Sequence, residues 1–170
     1  MADPKKVPDQ DALKRVGASV RARLQADPGV YKLPTDLAEI YAVGDFLTVE
    51  ECKRLTAKID AVARPSELHE TAYIAKFRTS YTGYFDGSDA FVRAISRRID
   101  DLLAISPECG ETIQGQRYLP GQEFKPHNDW FYTDQEYWEV EKKRGGQRSW
   151  TAMAFLNAVE EGGHTFFTKV

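Results

Sequence analysis

Apolar residues recur at helical spacing in three stretches of the chain. From Asp11 to Ala26, Leu13, Val16, Val20 and Leu24 fall on one face, and Asp27-Pro28-Gly29 ends the pattern. Thr48-Val49-Glu50-Glu51 has the form of a capping box and opens a second helix, with Cys52, Leu55, Ile59 and Val62 on its apolar face. A third helix is predicted after Ser88-Asp89, where Phe91, Ile95, Ile99 and Leu102 repeat before Pro107. A different pattern runs through Tyr73 to Tyr84, Thr112 to Leu119, Ser149 to Asn157 and Thr165 to Val170. These stretches are short, rich in aromatic or β-branched residues, and bounded by Gly, Pro, Asp or Asn, which predicts strands. Trp130 to Gly146 mixes aromatics with charges and has no clean period, which predicts a long irregular loop of the kind that serves as a lid or a mobile segment.

Helices early and strands late predict an α+β or mainly-β domain, with helices packed on one side of antiparallel sheets, rather than a βαβ nucleotide fold. The length of 170 residues suits one domain over 11–170, preceded by a flexible polar stretch over 1–10 that contains Pro4 and Pro8. With 42% apolar and 29% charged residues there is enough bulk for a core, which excludes a disordered chain.

Charge narrows the functional classes. Lys and Arg total 23 against 26 Asp and Glu, a net charge of -3, and no dense basic block is present, so a dedicated nucleic-acid binder is excluded. Lys14, Arg15, Arg21 and Arg23 lie mostly off the apolar stripe of the first helix and read as its solvated face. Cys52 and Cys109 are too few for a disulfide framework, and Cys52 reads as a small core residue. No signal peptide and no membrane span are apparent, so a cytoplasmic protein with no membrane partner is expected. The net charge leaves the oligomeric state open.

The candidate chemistry centres on one histidine. Of His69, His127 and His164, only His127 has a carboxylate two residues on, in His127-Asn128-Asp129. In an extended segment such residues share a face, about 6.6–6.8 Å apart at Cα, and can converge on one cation. The pair would supply two members of a 2-His-1-carboxylate triad, which leaves cis positions open for an organic cosubstrate and oxygen at Fe(II). By itself the triplet is a weak signal and reads first as a hydrogen-bonded surface pair.

The surrounding residues add to it. Gln114-Gly115-Gln116-Arg117-Tyr118, Pro120-Gly121-Gln122, Phe124, His127-Asn128-Asp129, Thr151, Phe155-Leu156-Asn157, Gly162-Gly163-His164-Thr165 and Phe167 occur in this order. Upstream stand Asp45-Phe46-Leu47, Glu51-Cys52 and Arg78-Thr79-Ser80. Over roughly residues 44 to 170 the sequence resembles the catalytic domain of prolyl 4-hydroxylases. The resemblance implies a double-stranded β-helix, or jelly roll, with supporting helices. It also implies Fe(II)- and 2-oxoglutarate-dependent hydroxylation, by O2, of a prolyl residue in a peptide or protein, with succinate and CO2 as products and L-ascorbate keeping the iron reduced. By position, it implies His127 and Asp129 as iron ligands, Tyr118 and Thr165 as 2-oxoglutarate contacts, and Arg78, Ser80, Glu111 and Arg148 near the peptide-substrate groove. The intact Asp129 favours hydroxylation over halogenation. Trp130, Tyr132, Tyr137 and Trp138 either line a groove for a proline-rich ligand or pack as a lid.

The sequence departs from the family pattern in places. Phe155 stands where many relatives have Tyr, and His164 replaces the usual acidic residue before Thr165 and reads as an exposed turn residue. Phe166-Phe167 puts two rings on opposite faces of a strand. The family's second histidine ligand, and the basic residue that anchors the distal carboxylate of 2-oxoglutarate, lie on strands later than Val170, so a C-terminally incomplete domain is expected. Two classes of function follow: a prolyl-hydroxylase-like dioxygenase that is complete in a longer natural form, or a non-catalytic truncated jelly-roll module that binds a proline-rich peptide or a partner chain through an open edge.

Overall fold

The structure, a computed structural model, describes residues 9–66 and 77–168. His69, the start of the strand expected from Tyr73, the end of the strand expected at Val170, and most of the expected flexible N-terminus lie outside the described residues. Within them the fold is α+β. In chain order the elements are α1 (Gln10–Gln25), β1 (Val30–Lys32), β2 (Tyr41–Val43), α2 (Val49–Val62), β3 (Arg64–Pro65), β4 (Tyr81–Tyr84), α3 (Ala90–Leu103), β5 (Gln114–Arg117) and α4 (Trp138–Arg144). They fall into two compact units. The first comprises Met1–Gly44, Ala94–Glu111 and Asn128–Met153, and the second Asp45–Arg93, Thr112–His127 and Ala154–Val170.

In the first unit, α1 begins where the Asp9 carboxylate accepts the otherwise unpaired Asp11 and Ala12 amides, at 3.1 and 2.9 Å. Its buried stripe is Gly17, Val20 and Leu24, whereas Val16, expected on that stripe, is exposed. Arg21 on the polar side pairs with Glu39 at 3.0 Å. β1 and β2 form an antiparallel pair running from Val30 opposite Val43 to Lys32 opposite Tyr41.

In the second unit the expected capping box is present. The Thr48 hydroxyl accepts the Glu51 amide at 3.2 Å, the Glu51 carboxylate accepts the Thr48 amide at 2.8 Å, and α2 follows with Leu55 and Ile59 buried. α2 packs on an antiparallel sheet of order β3-β4-β5. Thr82 pairs with Gln116 and Gly83 with Gly115 across the β4–β5 ladder, and successive side chains alternate between its two faces. The glycines face Ile59 of α2. Arg117, on the same face, reaches Asp60 of α2 at 3.0 Å and covers the Tyr81 ring. The other face carries the polar residues Ser80 and Thr82, which are nevertheless 1% and 2% exposed.

Two expected strands are not strands over their described residues. Residues 149–157 and the described part of 165–170 run without ladder partners among the described residues, and Met153, Phe155, Phe166 and Phe167 are exposed. Their composition suits a pleated surface, but a strand needs a neighbour to take its amides and carbonyls. The jelly roll is therefore not present as closed sheets among the described residues. The loop expected over Trp130 to Gly146 holds α4, a short helix with Glu139 and Glu141 early and Lys142, Lys143 and Arg144 late, in accord with the helix dipole. No described helix is long and apolar enough to cross a membrane.

The start of α3 carries a pH-dependent contact. The Asp89 carboxylate accepts the Phe91 and Val92 amides and the Lys58 ammonium, the last at 2.6 Å. The Lys58 hydrogen bond first, and the Val92 amide next, hold its pKa below the ordinary 3.8, at about 2. A depressed carboxylate pKa means that this contribution to stability is present above the unfolded value and is lost as pH falls through about 2. Asp89→Asn is accordingly expected to melt below the parent at neutral pH, with the difference closing as pH is lowered towards that value. A gap that closes already at ordinary carboxylate pH would contradict this assignment.

Candidate functional site

The segment that carries His127 is held to the start of β4 by its backbone. Leu119-Pro120-Gly121-Gln122 turns the chain, with the Gln122 amide donating to the Leu119 carbonyl at 2.9 Å and Gly121 at φ 79°. Pro at the second position and a left-handed Gly at the third are what a type II turn demands. Beyond it, the Thr79 amide donates to the Glu123 carbonyl and the Lys125 amide to the Phe77 carbonyl, both at 3.0 Å, while Arg78 and Phe124 face each other as bridge partners.

His127 follows in irregular backbone, exposed, rather than on the extended strand that the spacing suggested. Its Nδ1 lies 2.7 Å from the Lys125 carbonyl oxygen. A carbonyl only accepts, so Nδ1 is the nitrogen that donates, and in the neutral ring Nε2 is the one that carries the lone pair. The imidazole stacks on the Phe124 ring, with centroids 3.6 Å apart and planes 18° from parallel.

Asp129 belongs to the first unit, where its Oδ2 accepts the Thr151 hydroxyl at 2.7 Å and its backbone carbonyl accepts Arg148 Nη1 at 3.1 Å. Each of the two expected ligands thus has a hydrogen-bond partner of the kind that fixes a metal-binding side chain: a carbonyl on the imidazole N–H, and a hydroxyl on the carboxylate. This donor chemistry fits two protein positions of a metal such as Fe(II). Among the described residues no cluster of three or more His, Cys, Asp or Glu is assembled.

Arg148 and Glu111 are brought together. Arg148 Nη2 donates to Glu111 Oε2 at 2.6 Å, Nε donates to Oε1, and the guanidinium lies 4.2 Å over the Phe131 ring. The Glu111 carboxylate raises the Arg148 pKa above its ordinary value, and partial burial opposes this. Phe131 is itself clamped at both backbone atoms: its amide donates to Gln147 Oε1 at 2.6 Å and its carbonyl accepts Gln147 Nε2 at 2.8 Å. The aromatic segment after Asp129 is therefore tied down at Phe131, while Trp130 and Tyr132 are about half exposed.

Arg78 and Ser80 also come together, in the second unit. Arg78 Nε donates to the Ser80 hydroxyl, and its Nη2 donates to the Thr82 hydroxyl, both at 3.0 Å, and also to Gln116 Oε1. Ser66 lies 2.9 Å from Ser80 and 2.8 Å from Thr82, hydroxyl to hydroxyl. Thr82 must donate to the Gln116 oxygen at 3.2 Å, so Ser66 donates to Thr82 and Ser80 to Ser66. One arrangement of protons satisfies every hydroxyl. Ser80, expected at a substrate groove, is a buried member of this network. Tyr118 and Thr165, expected at the cosubstrate, are both exposed.

Thr151, Gln116 and Phe124 belong to the motifs, but sequence reasoning gave them no role. Thr82 and Ser66 were missed outright. Polar residues at 78, 80 and 82 repeat with the period of a strand, a signal that could have marked them as one face.

No family model matches the chain. It is, however, similar to curated proteins of Arabidopsis thaliana. It is 36% identical over 132 residues to "Probable prolyl 4-hydroxylase 8", covering 72% of this chain and 42% of that protein. With "Probable prolyl 4-hydroxylase 10" the identity is 38% over 133 residues, 72% of this chain and 43% of the relative. With "Prolyl 4-hydroxylase 1" it is 35% over 139 residues, 75% and 46%. The chain thus spans less than half the length of these relatives. Over the matched stretch it is a prolyl 4-hydroxylase-like domain.

Proposed function

We propose that the protein is an Fe(II)- and 2-oxoglutarate-dependent dioxygenase that hydroxylates a prolyl residue in a peptide or protein, giving succinate and CO2. The observation that carries this reading is the pair His127 and Asp129, each with an orienting hydrogen bond, in a sequence similar to proteins named prolyl 4-hydroxylases. His127 would bind the metal through Nε2 and Asp129 through its carboxylate. When bound, Fe(II) supplies the redox chemistry that couples oxidative decarboxylation of 2-oxoglutarate to oxidation of the substrate C–H bond.

The chain's own part is to hold and orient. The Lys125 carbonyl keeps His127 in the tautomer with its lone pair on Nε2, and Thr151 fixes one oxygen of Asp129. Tyr118 and Thr165 would offer hydroxyls to the cosubstrate. Glu111 and Arg148 neutralise one another, so a groove wall built on them is polar without net charge, which suits an uncharged prolyl peptide. Arg78 and Ser80 belong to the same proposal as substrate-groove residues, held within the hydroxyl network of the second unit. A double-stranded β-helix, L-ascorbate as reductant and a cytoplasmic setting belong to the same proposal.

The test is anaerobic titration of Fe(II) and 2-oxoglutarate into the chain, read by visible absorption. A charge-transfer band of a metal-chelated keto acid is expected. A chain that is folded by circular dichroism yet gives no band would overturn the reading for these residues and leave a peptide-binding module in its place.

A further inference from the structure

His127 is exposed, and an exposed imidazole has a broad, roughly two-fold preference about its terminal torsion. A hydrogen bond at Nδ1 selects the tautomer but still lets the ring rock about that contact. The Phe124 face, 3.6 Å away and 18° from parallel, removes this freedom, because the imidazole cannot turn about its torsion without striking the ring.

Phe124 is in turn held from several sides. The Arg78 guanidinium lies over its ring at 4.6 Å, and Phe77 meets it edge-on at 5.8 Å. Arg78 cannot drift, since it donates to Ser80, Thr82 and Gln116, whose own hydroxyls and amide are mutually satisfied on the buried face of the β4–β5 ladder. All of these groups lie within the second unit. A continuous set of contacts therefore runs from the buried hydroxyls through a guanidinium and a phenyl ring to the imidazole.

We propose that Phe124 is a positioning residue for His127, and that Arg78 acts through Phe124 to help fix the imidazole in the orientation used for metal binding. The metal-binding part rests on the function proposed above; the positioning part does not. It also gives Arg78 a role that needs no contact with a substrate.

The two parts are tested separately. In the metal-free protein, nitrogen and ring-proton NMR of His127, assigned with His127→Gln, should show one tautomer and an upfield ring-current displacement from Phe124. Phe124→Leu should remove the displacement, Phe124→Tyr should retain it, and Arg78→Met should reduce it by loosening the Phe124 ring. Co(II) binding, read by visible absorption, should then weaken by about tenfold in Phe124→Leu, the lower end of what outer-shell partners of metal ligands typically contribute, and recover in Phe124→Tyr. Circular dichroism identifies any variant that fails to fold, and Phe124→Leu, which leaves the buried hydroxyl network intact, decides the matter if Arg78→Met does so. Unchanged His127 signals in folded Phe124→Leu would overturn the proposal. Altered signals in a protein whose Co(II) binding is absent, or is the same in His127→Ala, would sink the metal-binding reading and the role in ligation with it.

Discussion

Replacing His127 with alanine is expected to abolish the visible Fe(II)–2-oxoglutarate band and any succinate formation coupled to a prolyl peptide. Outer-shell partners of metal ligands typically contribute about 10- to 100-fold in affinity or activity, so loss of a ligand itself should exceed about 100-fold. Asp129→Ala should match it, because the proposed site has these two protein donors and neither compensates for the other. Thermal stability should barely change in His127→Ala. The side chain is exposed, and its interactions with Lys125 and Phe124 sit at the end of a segment already anchored through Thr79 and Phe77. A large loss of signal with an unchanged melt would place the effect at the site rather than in the fold. Retained coupled succinate production in His127→Ala would refute the assignment.

The residues most legible in the sequence were those whose signal is local. Thr48 and Glu51 announce a helix start because both partners of the capping box lie within four residues, and the structure places both hydrogen bonds there. The helical periods of α1, α2 and α3 are visible for the same reason, although a period cannot say how far the apolar stripe is covered, as exposed Val16 illustrates. α4 was missed because a short amphiphilic helix among charges has no repeat to detect. The strands expected at 149–157 and over the described part of 165–170 were over-read, since aromatic and β-branched composition reports suitability for a sheet but not the presence of a partner. The same division runs through the site. His127 and Asp129 stand out as a triplet, and the family resemblance gives them a meaning. What orients them, Phe124 and the Lys125 carbonyl for one and Thr151 for the other, depends on how distant turns are folded. Arg78 shows the limit most clearly: its position suggested a substrate contact, and only the folded chain reveals its three partners in the hydroxyl network.

Gly115→Val is expected to be the most damaging single change to the fold of the second unit. Gly115 and Gly83 face one another across the β4–β5 ladder directly beneath α2. A Cβ at Gly115 would lie 2.1 Å from Ile59 Cγ1 and 2.6 Å from its Cδ1, well inside contact distance, and Ile59 is buried. At Gly83 a Cβ would meet the Ile59 carbonyl oxygen and Cα at 3.3 and 3.4 Å, so the helix backbone itself is close to the sheet. The Ile59 side chain is already buried, and α2 cannot lift without disturbing the Asp60–Arg117 pair and exposing the buried Leu55. Overpacking of this kind typically costs 1–3 kcal/mol, and the severity of the clash places Gly115→Val at about 3 kcal/mol or more. The specific check is a double-mutant cycle by denaturant unfolding. Ile59→Ala alone should destabilise by about 2–5 kcal/mol through the cavity it leaves. In Gly115→Ala/Ile59→Ala the added methyl enters that cavity, so the double variant should be clearly more stable than the sum of the single changes predicts. Strict additivity would mean that the glycine is not what lets α2 approach the sheet. Because Gly115 precedes Gln116, the network partner of Arg78, the same clash should also disturb the His127 ring-current displacement, which links the packing of α2 on one face of the ladder to the candidate metal ligand served by the other.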